Sequence, residues 1–268
     1  MTDGKQLYFG GPLFESVQLK SDQLWPRLKD NPSYSFHGRA IGLADASVEN
    51  LDLLASLVQS TGVCLCDFIP VSEVKEFQSR LTKMGLVTDR MEMWVSDQTT
   101  VEKSREVVET TFLSGADELV FVSDKTSVSE LMSLDEFTQE HGTSLPMESF
   151  LRGGEQLASC VYARDSNGKV FATAASVGQY HIDHVRSDMA YWGMLATRED
   201  KRGQGAALLM GAHAIVTMHD LHGLKRFFTP IKDGNTASER LCSKLVFSRQ
   251  DFAVLIAIDP SILPNKDE

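Results

Sequence analysis

Gly193-Met194-Leu195-Ala196-Thr197, then Arg198-Glu199-Asp200-Lys201, then Arg202-Gly203-Gln204-Gly205-Ala206-Ala207: this stretch decides the fold. An apolar run ends in a charged step and a glycine turn, and the turn opens into a long apolar helix pattern through Met218. A strand that feeds a helix in this way leaves the first backbone N–H groups of the helix without partners, at the positive end of its dipole. Such an end suits a pyrophosphate, and Gly203 and Gly205 allow a phosphate to approach the backbone closely. A glycine turn alone does not separate a phosphate site from a plain helix start.

A second signature lies downstream. Asn235-Thr236-Ala237-Ser238 starts a helix, and Leu241-Cys242-Ser243-Lys244-Leu245-Val246-Phe247 continues it. Together the two halves resemble the GNAT superfamily of N-acetyltransferases over about residues 110–260. The family motif Arg/Gln-x-x-Gly-x-Gly/Ala stands here as Arg202-x-x-Gly205-x-Ala207. The later motif, Asn-x-x-Ala/Ser-x-x-Leu-Tyr-x-Lys-x-Gly-Phe, stands as Asn235, Ser238, Leu241, Cys242, Lys244, Val246 and Phe247. The shifted register Asp200-x-x-Gly203-x-Gly205 has the same glycine spacing, but it would set a carboxylate against phosphate.

The resemblance implies acetyl-CoA (coenzyme A) as co-substrate and no metal. It places the pantetheine arm along the backbone of Leu195, Ala196 and Thr197, and the pyrophosphate over Arg202, Gly203, Gln204, Gly205, Ala206 and Ala207. Asn235 and Ser238 would stand near the arm and Lys244 towards the nucleotide end. Asn235 also reads simply as a helix cap. The fold class expected is α/β (α+β): a GNAT-like mixed, mostly antiparallel sheet flanked by helices. Residues 111–268 would form the acetyltransferase domain and residues 1–110 an N-terminal α/β region, read either as a degenerate related domain that packs on or shapes the substrate entrance or as a plain structural extension.

Composition sets wider bounds. The chain has 268 residues and a formal net charge of −11. An acidic chain lacks the basic patch that nucleic acid demands, so no nucleic-acid partner is expected; the charge suits a cationic or amine-bearing one. No run approaches the roughly 18 apolar residues needed to span a bilayer, and Met1–Lys5 offers no signal-peptide core. No membrane partner is expected, and the expected location is cytoplasmic. Four cysteines make no disulfide framework at this length. Cys64 and Cys66 alternate onto one face of a strand and read as buried free thiols, short of a zinc set. Monomer and homodimer both stay open.

Along the chain, residues 1–35 read as irregular, with a strand-to-turn segment at Tyr8–Pro12. Apolar spacing predicts a helix over Ser47–Gln59, with Asp45 or Ser47 as cap, a strand over Val63–Phe68, a helix over Val74–Met84 and a strand over Met91–Val95. Thr99–Phe112 reads as a charged surface helix, Glu118–Val122 as a short strand and Val128–His141 as a helix. Asn167-Gly168 between two strand patterns marks a hairpin. Phe137, Met147 and Phe150 are candidates to line the acceptor site, with core packing the competing reading.

For the chemistry, Cys242 stands where many family members have a tyrosine that protonates the leaving thiolate. It reads either as a weak acid or as a buried apolar residue. Candidates for the base are Asp188, Tyr191, His181 and His184, the histidines being suited by their unperturbed pKa. Exposed histidines without a function are the competing reading. The expected activity is transfer of an acetyl group to a primary amine, in a small molecule or a protein, by direct attack on the thioester. The alternative is a catalytically weak acyl-CoA-binding or sensing protein on the same fold. A Rossmann-type protein is disfavoured, because the turn comes late and no acidic residue closes a following strand.

Overall fold

The computed structural model describes residues 6–114, 117–153 and 156–263. Ten strands form one mixed sheet: β1 (Tyr34–Phe36), β2 (Ile41–Leu43), β3 (Val63–Pro70), β4 (Val87–Ser96), β5 (Glu118–Phe121), β6 (Ala158–Arg164), β7 (Val170–Gly178), β8 (Met189–Thr197), β9 (Arg226–Ile231) and β10 (Phe247–Ile258). Their order across the sheet is β1-β2-β3-β10-β4-β9-β8-β7-β6-β5. Only β2 with β3 and β8 with β9 run parallel; the other neighbours are antiparallel. The fold is therefore the mixed, mostly antiparallel α/β architecture expected.

Helices flank the sheet: α1 (Gly11–Leu24), α2 (Leu51–Thr61), α3 (Val74–Lys83), α4 (Thr100–Thr110), α5 (Val128–Glu140), the short α6 (Glu148–Leu151), α7 (Ala206–His222) and α8 (Thr236–Lys244). One apolar cluster gathers Leu54, Phe77, Leu131, Phe150 and Leu255; a second gathers Trp192, Met210, Ile215, Phe227 and Phe247. α7 sits hard against β8. A Cβ on Gly211 would stand 2.5 Å from Cζ2 of Trp192, whose indole N–H donates to the Gly211 carbonyl at 3.0 Å.

Most elements fall where the periodicity puts them; besides β1 and β2, for which the sequence offered no pattern, there are four differences. Residues 11–24, expected to be irregular, form α1: Gly10 caps it in the left-handed region and Pro12 occupies the first turn, where its missing N–H costs nothing. α2 begins at Leu51, because Asn50 instead closes a turn, accepting from the Ser47 N–H and donating to the Asp45 carbonyl. Neither Asp45 nor Ser47 caps it. α4 buries Val101 and Val107 against α7 and is less a surface helix than its charges suggest.

The fourth difference is in the sheet. β4, from the N-terminal region, lies between β9 and β10, and β10 lies between β4 and β3. Strands from either side of residue 110 thus interleave in one ladder.

Candidate active site

β8 and β9 pair only over Met189–Tyr191 and Arg226–Phe228. Beyond Tyr191 they diverge, because β9 turns to pair with β4 through Phe228–Ile231 while β8 stays on β7. The β7–β8 register also slips between Thr173↔Ala196 and Ala175↔Gly193, and Met194 sits at φ 54°. A non-glycine residue in the left-handed region costs energy and marks a bulge held by its surroundings. The bulge and the divergence leave the Gly193–Thr197 edge of β8 facing an opening rather than a neighbouring strand.

That opening is part of one cleft of about 910 Å³. Leu195, Ala196, Thr197, Arg202, Gly203, Gly205, Ala206 and Ala207 line one side; Asn235, Ser238, Cys242 and Lys244 line another. The two sequence signatures therefore meet across the gap between β8 and β9. Gly203 and Gly205 take φ 74° and 86°, and Gly205 caps α7. The N–H groups of Ala206, Ala207 and Leu208, in the first turn of α7, have no intrahelical acceptor. Gln204 departs from expectation: its side chain turns back to donate to the Asp200 carbonyl at 2.9 Å, and the residue lines a separate small hollow rather than the cleft.

Charge sorts the neighbouring cations. Arg198 is held by Asp165 and Asp200, and Lys201 by Asp117. Arg202 donates only to the Thr197 carbonyl, at 3.2 Å, and has no carboxylate partner among the described residues. Asp200, the acid of the rejected register, is taken up by Arg198 and does not face the cleft. Arg240, which the sequence reading passed over, lines the cleft beside Lys244. Asn235 behaves as a cap, its Oδ1 accepting from the Ser238 N–H at 3.2 Å.

The catalytic candidates divide. His184 and Asp188 do not line the cleft. His184 is buried, stacked on Tyr180, with Nε2 2.9 Å from Asp45 Oδ2. Asp188 is clamped by Arg226, whose hydrogen bonds hold its carboxyl below the usual carboxylate range and leave it a poor base. His181 also lies outside the cleft. Cys242 lines it, but burial, aided by the charge of Glu239, pushes its thiol up to about 12. A group that holds its proton so tightly does not deliver it to a thiolate of ordinary basicity, near pKa ~8.5. Phe137, Met147 and Phe150 are core residues and do not reach the cleft.

At the far end of the cleft the sequence reading missed three residues and placed a fourth. Tyr191, one of the candidates for the base, faces the cleft at the point of divergence; a Cβ on Gly193 would lie 2.7 Å from its hydroxyl. Over its ring, 5.0 Å from the centroid, stacks the guanidinium of Arg39, and His37 meets the same ring edge-on. Burial first, then the charge of Arg39, holds His37 well below its ordinary pKa and so neutral. Asp67 of β3 completes this end. Its Oδ2 accepts from Gln179 Nε2 at 2.5 Å and from the Tyr180 hydroxyl at 3.3 Å, while Oδ1 has no partner among the described residues. Burial raises its carboxyl to about 6 despite those bonds.

The cleft floor beyond this polar end is apolar. Val63 and Leu65 of β3, Met91 of β4 and Val254, Ile256 and Ile258 of β10 face it by alternation, roofed by Leu13, Phe14 and Val17 of α1. Cys64 and Cys66 point to the opposite face, and all four cysteines are free and buried.

Divergent parallel strands, a bulge at the fork and a glycine-opened helix beside it constitute a known arrangement. The fold is that of a GCN5-related N-acetyltransferase. A GCN5-related N-acetyltransferase from Kribbella flavida is similar over 91% of this chain and 95% of its own, with a TM-score of 0.55 and 13% identity. A GCN5-related N-acetyltransferase-like protein from Streptococcus suis is similar over 85% of this chain and 84% of its own, with a TM-score of 0.51 and 14% identity. No family model matches the chain. Over 92 residues it is 34% identical to the carbon monoxide dehydrogenase large chain of Hydrogenophaga pseudoflava, a segment that spans 11% of that protein. Among the described residues, no helix is long and apolar enough to cross a membrane, and no group of three or more His, Cys, Asp or Glu is placed to hold a metal ion.

Proposed function

We propose that this chain is an acetyl-CoA-dependent N-acetyltransferase acting on a primary amine. The observation that carries the reading is the continuity of one cleft from the free α7 N-terminus, past the open edge of β8, to a buried polar end at Tyr191 and Asp67. The residues fit the co-substrate. Backbone amides of Gly203–Leu208 and the unpaired Arg202 suit the diphosphate, with Lys244 and Arg240 towards the nucleotide. The unpaired edge of Leu195–Thr197 suits a pantetheine arm laid down as an added strand, and Ser238 with the capped Asn235 borders it.

Acetyl-CoA would supply a thioester carbonyl, at which a C–N bond forms, the C–S bond breaks, the amine loses a proton and the thiolate gains one. The β8 bulge at Met194 breaks the regular ladder beside the opening, and a backbone N–H freed there would stabilise an oxyanion. Asp67, half ionised near pH 6, takes the ammonium proton on its free Oδ1, directly or through water. Tyr191, whose hydroxyl lies against Gly193 at the fork, is the candidate proton donor in place of Cys242. The N-terminal region supplies Asp67, Arg39 and much of the floor, so we assign it to acceptor binding.

The test is thiol release from acetyl-CoA across a panel of primary amines, with calorimetry of CoA binding. Binding with turnover supports the reading. The weak state of Cys242 as an acid favours a second reading, an acyl-CoA-binding or sensing protein: CoA affinity with no turnover on any amine would establish it. No affinity for CoA would sink both.

A further inference from the structure

The polar end of the cleft carries one cation that no carboxylate among the described residues neutralises. Arg39 projects from the turn between β1 and β2, its Nε is buried without a hydrogen-bond partner, and no carboxylate among the described residues pairs with it. Its contacts are the face of the Tyr191 ring, His37 at 3.4 Å and the Ser144 carbonyl at 3.5 Å, the last two at the long limit for a hydrogen bond. Stacking uses the flat face of a guanidinium and leaves its edges, which are shaped for a bidentate oxyanion, unfilled. A buried donor left so is costly, and a ligand that fills it gains what the free protein lacks. At the same end lies Asp67 with one free oxygen, and Asp89, the other acid lining the cleft, is paired with Lys232.

A guanidinium without a carboxylate partner, in the same cleft as a carboxylate with one free oxygen and next to an apolar floor, matches a zwitterion with an apolar body. We infer that the acceptor is a free amino acid with an apolar side chain, its carboxylate held by Arg39, its ammonium by Asp67 and its side chain over Leu65, Met91 and Ile256. The inference rests on the acetyltransferase reading above for the fate of the amine, but the binding it claims does not require turnover. A peptide or protein N-terminus is the competing acceptor, and it lacks the carboxylate.

The experiment uses the full chain, with L-leucine and L-phenylalanine set against their carboxamides and their decarboxylated amines. Wild-type protein should bind L-leucine in calorimetry without acetyl-CoA, and leucinamide at least about 10-fold more weakly, as expected for a lost charge-assisted pair. Arg39→Gln should raise KM for L-leucine by roughly 10- to 100-fold with kcat little changed, and Arg39→Lys should keep part of the discrimination. Whatever either variant does to both acceptors in common, the preference for L-leucine over leucinamide in kcat/KM should collapse towards one in Arg39→Gln, and the folding of both variants is checked by thermal unfolding. Equal use of amino acid and carboxamide by the wild type, or equal losses on both in Arg39→Gln, overturns the inference. L-leucine binding that depends on Arg39, in a protein that does not bind CoA, would leave this inference standing and remove the transferase.

Discussion

Asp67 is the residue on which the proton chemistry turns. Its folded carboxyl titrates at about 6, against ~3.9 in an unfolded chain, so the folded state binds this proton more tightly. The stability it contributes is therefore present below about pH 4, lost as the pH rises through about 6, and constant above that. Asp67→Asn should stabilise the protein by up to about 3 kcal/mol at pH 7.5 and by almost nothing at pH 4, read from urea unfolding at the two values. The same variant should lose the rise in turnover through pH 6 and roughly 100-fold or more in rate. An equal gain in stability at both pH values would show that this carboxyl does not titrate as described.

Gly193 is the second such residue. Its missing Cβ makes room for the Tyr191 hydroxyl, so Gly193→Ala must push aside a ring that also carries Arg39. We expect a loss of about 1–3 kcal/mol in stability, partly recovered in the double variant with Tyr191→Phe. Additive losses would mean the two positions do not touch.

None of this was legible locally. Arg39, His37 and Tyr191 meet only because β1 is carried against Gln179 and Tyr180 by long-range pairing. Asp67 did leave a signal, a charge inside an apolar strand run between Cys66 and Phe68, and it went unread. The histidines and Asp188 attracted notice by type; His184 and Asp188 are each taken up by a partner far away in sequence, Asp45 and Arg226.

At the scale of elements, the glycine turn and the helix it opens were legible because both halves obey short-range rules. Glycines take φ values denied to other residues, and apolar spacing follows the helix period. α1 was missed for a matching reason. Gly10-Gly11-Pro12 reads as a turn, yet glycine before and proline inside the first turn also begin a helix. The α7–β8 contact yields a direct test. Gly211→Ala forces Trp192 out of place and should cost about 1–3 kcal/mol, visible as a lower midpoint in denaturant with an unchanged slope.

The charge partners of the turn yield another. Arg202→Gln should raise KM for acetyl-CoA about 10-fold at low salt and less at high salt, whereas Arg198→Gln, whose charge is already spent on Asp165 and Asp200, should change it by less than about twofold. Equal effects from the two would remove Arg202 from the phosphate site.

For the whole molecule, periodicity gave most of the elements and the family resemblance gave the mixed sheet, but neither gave the strand order. Strand pairing is made by backbone groups that every residue carries, and nothing in β4 or β10 names its neighbour. Because β4 is sandwiched by β9 and β10, we expect residues 111–268 expressed alone to remain without stable tertiary structure, and to gain it when residues 1–110 are supplied in the same cell. Circular dichroism and limited proteolysis read this, and a well-folded 111–268 fragment would show that the ladder tolerates the loss of β4.

The interleaving also sets a timetable for synthesis. β3 and β4 leave the ribosome early, but neither borders the other; the segment that must lie between them, Phe247–Ile258, is translated roughly 150 residues after β4. At ordinary elongation speeds this delay is about 10 to 30 s. Throughout it the nascent chain holds two incomplete strand edges, and any chaperone that engages it should do so in that interval.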